Sequence, residues 1–183
     1  MLERSIRRGL NQMAILVDQE SYASENILAE GELLKKIVSL KRQGKKIGLC
    51  TGSFDLLHPG HITHLLAAKK ECDVLVVSVA SDEHNSRSRK QKGRPIFTQQ
   101  IRAFALSQLK AVDFVLINEN SQQVIHLLKP DFYIKGIDYS GLNDTVLRLE
   151  KEAVESHGGK MILTSTEKLA TTEIIRYIKE EIE

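Results

Sequence analysis

A strand passes directly into a helix within residues 46–61, KIGLCTGSFDLLHPGH. The apolar run predicts a strand over Lys46–Thr51, and the pattern that follows predicts a helix from near Gly60 to Glu71. In α/β sheets, ligands bind where a strand ends and the next helix begins. The first turn of a helix presents unpaired backbone N–H groups and a partial positive charge, which suit a phosphate. The segment therefore predicts an anion-binding site at the carboxyl edge of a parallel sheet.

From Gly31 onward, the sequence repeats this alternation of short strand-like runs and helical periodicity. The pattern predicts an α/β fold, a three-layer sandwich with a parallel five-stranded Rossmann-like sheet. Residues 81–94 have no apolar period and are predicted to form a mobile surface loop. Strands are predicted at 46–51, 73–80, 112–118, 131–135 and 160–163, and helices at 32–43, 60–71, 98–110, 122–128, 145–157 and 171–182.

Residues 1–30 are interpreted as an N-terminal helical extension of the domain formed by residues 31–183. Apolar side chains between Ile6 and Val17 follow helical spacing, but no strand precedes them. Such an amphipathic helix either packs on the edge of its own domain or forms a contact between two copies of the chain. The second hypothesis predicts a homodimer.

The charge balance excludes a strong global electrostatic field, because 26 basic and 24 acidic residues leave a formal net charge of +2 among 183 residues. We therefore expect no nucleic-acid partner. The longest apolar stretches have the length of strands, so no membrane segment is expected. The two cysteines, Cys50 and Cys72, lack the spacing of a zinc site or a disulfide scaffold, which favours a cytoplasmic location.

His58 and His61 are the candidate anion-binding side chains of the strand–helix junction. Their spacing directs both imidazoles at one anion, and each can donate a hydrogen bond that strengthens as negative charge accumulates. Gly52 and Gly60 allow the backbone to approach a phosphate closely. His64 continues the series, but it lies beyond the anion-binding end of the helix, so a zinc site is not expected.

The string GxFDxxHxGH at residues 52–61 resembles the signature of the cytidylyltransferase-like nucleotidyltransferase superfamily. The P-loop and GxGxxG patterns of other nucleotide-binding folds do not occur in the sequence. Residues 93–96 (GRPI) and 135–139 (KGIDY) are similar to the ADP-heptose synthases of this superfamily, whereas residues 81–85 (SDEHN) are similar to its glycerol-3-phosphate cytidylyltransferases. Residues 165–172, STEKLATT, are similar to the RTxGISTT motif of the superfamily.

This last string departs from the motif at positions that bear on the choice of nucleotide. Ser165 stands in place of arginine, Lys168 in place of glycine and Ala170 in place of serine. The heptose group also lacks that arginine. The departures therefore weaken the interpretation as a cytidylyltransferase more than the interpretation as a nucleotidyltransferase of this superfamily.

The resemblance implies two sets of site residues. The catalytic set is His58, His61, Lys90, Lys92 and Arg102. The nucleotide-binding set is Thr51, Gly52, Ser53, Phe54, Gly60, Lys135, Gly136, Asp138, Ala170, Thr171 and Thr172. The protein itself is expected to supply no metal ligands, and Mg²⁺ is expected to accompany the nucleoside triphosphate.

Several of these residues also have ordinary structural interpretations. The basic cluster from Arg87 to Arg94 is typical of a solvated loop, although its lysines could close over phosphates as a lid. Arg102 could pair with a surface carboxylate, and Thr171 and Thr172 could simply cap a helix. Asp55 is expected to hold the turn by accepting hydrogen bonds from nearby backbone amides.

The resemblance implies an enzyme, a nucleotidyltransferase that transfers a nucleoside monophosphate from ATP or CTP to a sugar phosphate and releases pyrophosphate. Residues 93–96 and 135–139 favour ATP and heptose 1-phosphate, and a separate sugar kinase is then expected in the same pathway. The alternatives are a glycerol-3-phosphate-type cytidylyltransferase, a non-catalytic nucleotide-binding module and, last, a nucleic-acid binder built on Arg87–Arg94.

Overall fold

The computed structural model describes residues 22–88, 95–136, 145–165 and 171–182. Its strands are β1 (Ile47–Gly52), β2 (Val74–Ala80), β3 (Phe114–Asn118), β4 (Phe132–Gly136) and β5 (Lys160–Thr164). Its helices are α1 (Glu30–Arg42), α2 (Pro59–Lys70), α3 (Asp82–Ser88), α4 (Gln99–Ser107), α5 (Ser121–Leu128), α6 (Thr145–Glu155) and α7 (Thr171–Glu181). Within these described ranges, no helix is long and apolar enough to cross a membrane.

The strands form one parallel sheet in the order β3-β2-β1-β4-β5. From β1 the chain adds β2 and β3 towards one edge of the sheet. It then returns to the other side of β1, where it adds β4 and β5 towards the opposite edge. This reversal opens a crevice between β1 and β4 at their carboxyl ends, which is where ligands bind in folds of this type. The predicted parallel five-stranded sheet is confirmed, and the strand–helix junction of the sequence analysis lies at the reversal.

Helices cover both faces of the sheet, which confirms the predicted three layers. Successive strand side chains alternate between the faces. Helices α1, α5 and α6 pack with Leu49 and Val76 on one face, which we name the front face. Helices α2 and α4 pack with Cys50 and Val77 on the opposite face, which we name the back face.

The front face changes from apolar to polar at the carboxyl ends of its strands. The strand positions deeper in the sheet belong to a buried apolar cluster. Two residues further along each strand, the side chain on the same face is polar. These residues, each in the carboxyl-terminal half of its strand, are Thr51, Ser78, Asn118 and Lys135. They build a polar floor beside the crevice without interrupting the core.

The sequence predicts a loop over residues 81–94, but Asp82–Ser88 form helix α3, so this prediction is wrong for these residues. Polar contacts hold the start of the helix: Ser81 Oγ accepts from His84 N at 3.0 Å, and Asn85 Nδ2 donates to Ala80 O at 3.2 Å. A helix that is held by polar contacts need not show an apolar period, so the periodicity missed it. Residues 89–94 lie outside the described residues.

Residues 1–21 of the predicted N-terminal extension also lie outside the described residues. Just before α1, Leu28 N donates to Val115 O at 2.9 Å, and Val115 N donates to Asn26 O at 2.8 Å. Ile27 thereby forms a parallel bridge with Val115 on the outer side of β3. The end of the predicted extension therefore pairs with the sheet, while its amphipathic helix stays a prediction.

Candidate active site

The strand–helix junction brings His58 and His61 to the amino-terminal end of α2. His58 occupies the N-cap position with an extended backbone, and Pro59 follows at the first helical position, where its missing N–H is tolerated. His58 O accepts the first intrahelical bond, from His61 N at 2.9 Å. The His58 side chain makes no capping hydrogen bond. The first-turn amides of α2 therefore receive no side-chain acceptor from their own N-cap residue, which suits an anion-binding helix end.

The imidazoles of His58 and His61 stack on each other. Their ring centroids lie 3.8 Å apart and their planes are inclined by 24°. The ring of Phe54 continues the stack, with its centroid 5.3 Å from that of His61. His58 is only 6% exposed, and its Nδ1 has no hydrogen-bond partner among the described residues. A buried polar nitrogen without a protein partner is a candidate ligand-binding atom.

Burial lowers the pKa of His58 below its ordinary value. The neutral imidazole is therefore favoured at pH 7, and the stacked pair avoids placing two positive charges side by side. A neutral imidazole still donates one hydrogen bond, and an approaching anion would favour the protonated form, which donates two. The pair is thus suited to holding an anionic ligand.

Phe54 has a left-handed backbone conformation, with φ at 48°. This conformation is unfavourable for a bulky residue and is found mostly where the surrounding structure enforces it. The Phe54 ring lies against Gly52, where an added Cβ would come within 3.0 Å of Phe54 Cε2. Gly52 therefore leaves the room that the Phe54 ring needs, and that ring supports His61.

The guanidinium of Arg102 is fully buried and bonded to four acceptors. Nε donates to Phe97 O at 3.0 Å, Nη1 donates to Ser53 O, and Nη2 donates at 2.8 Å to both Ala80 O and Asp82 Oδ1. One side chain thereby joins the loop after β1, the end of β2, helix α3 and the segment before α4.

These contacts bear on the predicted role of Arg102. The sequence predicts Arg102 as a catalytic cation for phosphate, with pairing to a carboxylate as the alternative. The structure places its guanidinium among backbone carbonyls and against Asp82. Because the fold engages the buried guanidinium, we assign Arg102 to positioning the loop that carries the candidate site.

Asp55 holds the same loop through distant amides. Its Oδ1 accepts from Ile96 N at 2.5 Å and from Phe97 N at 3.4 Å, and the residue is 3% exposed. These two contacts confirm the expectation that Asp55 holds the turn by accepting hydrogen bonds from backbone amides. The carboxylate fastens the loop after β1 to the segment that leads into α4.

A second feature, a cleft of about 330 Å³, opens at the carboxyl edge of the front face. We name it the front cleft. Its lining includes Thr51, Ser78, Asn85, Asn118, Lys135 and Glu150. Thr51, Gly52 and Ser53 belong to this lining and also lead into the histidine loop. The two features therefore meet at the end of β1.

Lys135, a predicted nucleotide-binding residue, lies in the wall of the front cleft. Its Nζ is 3.0 Å from Glu150 Oε2 on α6 and donates to Thr51 Oγ1 at 3.2 Å. Thr51 Oγ1 is in turn 2.6 Å from Tyr133 Oη. Burial, followed by the nearby Glu150 carboxylate, raises the pKa of Tyr133 well above its ordinary value. Four side chains thus form one buried network between α6 and the end of β1.

His64 does not join the other two histidines in a metal site. Its Nδ1 lies 2.8 Å from Thr164 Oγ1 on β5, and Thr164 Oγ1 donates to Lys135 O at 3.3 Å. Within the described ranges, no group of three or more His, Cys, Asp or Glu side chains is placed to hold a metal ion.

The remaining predicted site residues divide into two groups. Gly60 lies in the first turn of α2, Gly136 ends β4, and Thr171 and Thr172 begin α7. The others lie outside the described residues and stay predictions: Lys90, Lys92, Asp138 and Ala170.

Sequence reasoning did not find Ser78, Asn118 or Glu150 as candidate site residues. A weak signal exists for the first two, because each is the single polar residue of an otherwise apolar strand. Glu150 carries no such signal, since a glutamate on an amphipathic helix is usually solvated. Only the packing of α6 on the sheet reveals that its carboxylate is buried against Lys135.

Comparison with known proteins agrees with this geometry. The family model described as cytidylyltransferase-like matches residues 49–179. The bifunctional protein HldE of Desulfatibacillum aliphaticivorans is 41% identical over 151 residues, which cover 81% of this chain and 30% of that protein. The HldE of Alcanivorax borkumensis is 34% identical over 168 residues, covering 90% of this chain and 34% of that protein. The chain spans about a third of the length of these curated relatives.

A solved structure is also similar. The crystal structure of the lipopolysaccharide core biosynthesis protein from Thermoplasma volcanium has a TM-score of 0.57 and 30% identity, and the match covers 68% of this chain and 100% of that chain. The fold is of the α/β class, with a parallel sheet and the HxGH helix at its point of reversal. Since the family model matches well over half of its residues, the chain belongs to the cytidylyltransferase-like family.

Replacing Arg102 by lysine is expected to lower the free energy of unfolding by about 1–3 kcal/mol, because an ammonium cannot reach all four acceptors and leaves buried ones unsatisfied. Urea denaturation measures the change. Arg148→Lys is the matched control, since Arg148 lies on the surface of α6, 3.7 Å from Glu152. An Arg102→Lys protein of unchanged stability that bound triphosphate poorly would instead place the guanidinium on the substrate.

Proposed function

We propose that this chain transfers an adenylyl group from ATP to a sugar phosphate, with heptose 1-phosphate as the acceptor and pyrophosphate as the leaving group. The observation that carries the proposal is the stacked His58–His61 pair at the amino-terminal end of α2. The choice of a heptose rests on the resemblance of residues 93–96 and 135–139 to ADP-heptose synthases and on the similarity to the HldE proteins.

The chemistry requires positioning rather than a covalent intermediate. An oxygen of the acceptor phosphate forms a bond to the α-phosphorus of ATP. The bond from that phosphorus to the bridging oxygen breaks, and its electron pair leaves with pyrophosphate. The attacking oxygen is already anionic, so no general base is required. The protein must hold two polyanions that repel each other and stabilise the charge that develops on the bridging oxygen.

The residues at the end of β1 are suited to these tasks. His58 and His61 would donate hydrogen bonds to the triphosphate, aided by the first-turn amides of α2. Gly52 has no side chain to obstruct a phosphate. Thr171 and Thr172, at the start of α7, would bind the outer phosphates through hydroxyls and amides of a second helix end. Lys90 and Lys92 stay predicted lid residues.

We place residues 81–85 on the acceptor side of the site, so their resemblance to cytidylyltransferases no longer bears on the choice between ATP and CTP. The resemblance of this string to cytidylyltransferases is the main sequence feature in favour of CTP. Ser81 directly precedes α3, and His84 and Asn85 line the front cleft. Under this proposal, these residues contact the acceptor side and not the base.

Magnesium is proposed to arrive with the triphosphate, bound to phosphate oxygens. The described residues offer no group of three or more metal-binding side chains that would fit a resident ion. The homodimer, the separate sugar kinase and the cytoplasmic location stay predictions.

A panel of substrates tests the proposed reaction. Pyrophosphate release is measured with ATP or CTP, each combined with heptose 1-phosphate or glycerol 3-phosphate. We expect ATP with heptose 1-phosphate to give a kcat/KM at least about tenfold above that of every other pair, which corresponds to about 1.4 kcal/mol of transition-state discrimination. Preference for CTP with glycerol 3-phosphate, or triphosphate binding without turnover in any pair, would contradict the proposal.

His58→Ala and His61→Ala are each expected to lower kcat about a hundredfold to a thousandfold, because each removes a donor to charge that develops in the transition state. Thermal stability should change little. His126→Ala is the control, since His126 is exposed on α5. Near-normal turnover in either variant removes that histidine from the mechanism.

A further inference from the structure

The Lys135–Glu150 ion pair is buried where the front cleft meets the sheet. The Lys135 side chain is 8% exposed and the Glu150 side chain is 4% exposed. Taking two charges out of water costs free energy that their mutual attraction often only balances, so an apolar pair of similar volume would stabilise a fold as well. Stability alone therefore does not explain why these two positions hold charged residues. Contact with a ligand in the cleft would explain it directly.

The charges on the cleft wall argue against a phosphate site there. Among the described lining residues, the charged side chains are Lys135, Glu119 and Glu150. The polar remainder consists of hydroxyls, amides and one imidazole. Two carboxylates against one ammonium leave no excess positive charge for a phosphate dianion. Neutral donors and acceptors suit a hydroxyl-rich, uncharged group.

We propose that the front cleft binds the hydroxyl-bearing ring of the acceptor and that Glu150 is a specificity-determining residue that accepts hydrogen bonds from the ring hydroxyls. The inference rests on the proposed function and adds the acceptor's orientation to it. Each carboxylate oxygen has two lone pairs, so Glu150 can accept from hydroxyls while it keeps its contact with Lys135. The cleft volume, about 330 Å³, lies within the usual range for small-molecule sites.

The network behind the ion pair connects the two halves of this site. Lys135 contacts Thr51, and Thr51 is followed directly by Gly52 and Ser53, which lead into the histidine loop. With the ring in the front cleft, the acceptor phosphate lies outside it, at the end of β1. That is the side from which an oxygen could reach the α-phosphorus of a triphosphate held by the histidines. Glu150 would therefore accept hydrogen bonds from the acceptor without contacting ATP.

Glu150→Gln tests this assignment, because it keeps the shape of the side chain and removes its charge. We expect the KM for heptose 1-phosphate to rise about tenfold or more, the effect of weakening hydrogen bonds to a charged acceptor. The Kd for ATP, measured by calorimetry, should stay within about twofold of the parent value, because no contact with ATP is removed. An unchanged KM in the folded variant, or an equal loss of ATP affinity, overturns the proposal.

Glu152→Gln is the matched control. Glu152 lies on the same helix but is 58% exposed and pairs only loosely with Arg148, so both constants should stay at the parent values. If Glu150→Gln does not fold, as judged by circular dichroism, Ser78→Thr decides instead. It adds one methyl group to the cleft floor within a strand that tolerates β-branched residues. A raised KM for heptose 1-phosphate with unchanged ATP binding supports the proposal, and an unchanged KM overturns it.

Direct binding separates this inference from the proposed reaction. If no combination of triphosphate and acceptor releases pyrophosphate, the proposed function fails. Calorimetry with heptose 1-phosphate and with inorganic phosphate still tests the cleft. The assignment is supported if Glu150→Gln weakens the binding of heptose 1-phosphate but not that of inorganic phosphate. Equal weakening of both ligands, or of neither, overturns it.

Discussion

The buried guanidinium of Arg102 is the contact on which the geometry of the site depends. Its acceptors come from segments far apart in sequence: Ser53 O after β1, Ala80 O at the end of β2, and Phe97 O before α4. A planar group with donors in fixed directions can hold several carbonyls in one arrangement, which a lysine cannot do. Asp55 fastens the same loop from its other side by accepting from Ile96 N. The loop is thereby held at both ends, and Phe54 keeps its left-handed backbone between them.

This loop separates two chemically different surfaces at the end of one strand. Helix α2 packs on the back face and carries the stacked imidazoles, which suit a polyanion. The front face ends in hydroxyls, amides and a compensated ion pair, which suit a neutral ring. The proposed transfer between two phosphorylated substrates would need such a division, because two equally cationic pockets would not distinguish a triphosphate from a monophosphate. The end of β1 is where the two surfaces meet.

Much of this arrangement follows from local sequence patterns. The apolar runs predict the five strands, and their alternation with helices predicts a parallel sheet. The strand–helix junction at residues 46–61 predicts the anion site, because it depends on residues close together in the chain. The role of Arg102 could not be predicted in this way, since its four acceptors come together only through tertiary packing. Helix α3 was missed because polar contacts hold its start. Glu150 was missed because its burial depends on how α6 packs against β4.

A crystal structure of the protein with a non-transferable ATP analogue tests the central claim most directly. Our account predicts that phosphate oxygens lie within about 2.7–3.2 Å of ring nitrogens of His58 and His61, the range of an N–H···O hydrogen bond. The base and ribose should leave the front cleft open for the acceptor. A triphosphate that occupied the front cleft, or that lay away from both imidazoles, would contradict the account.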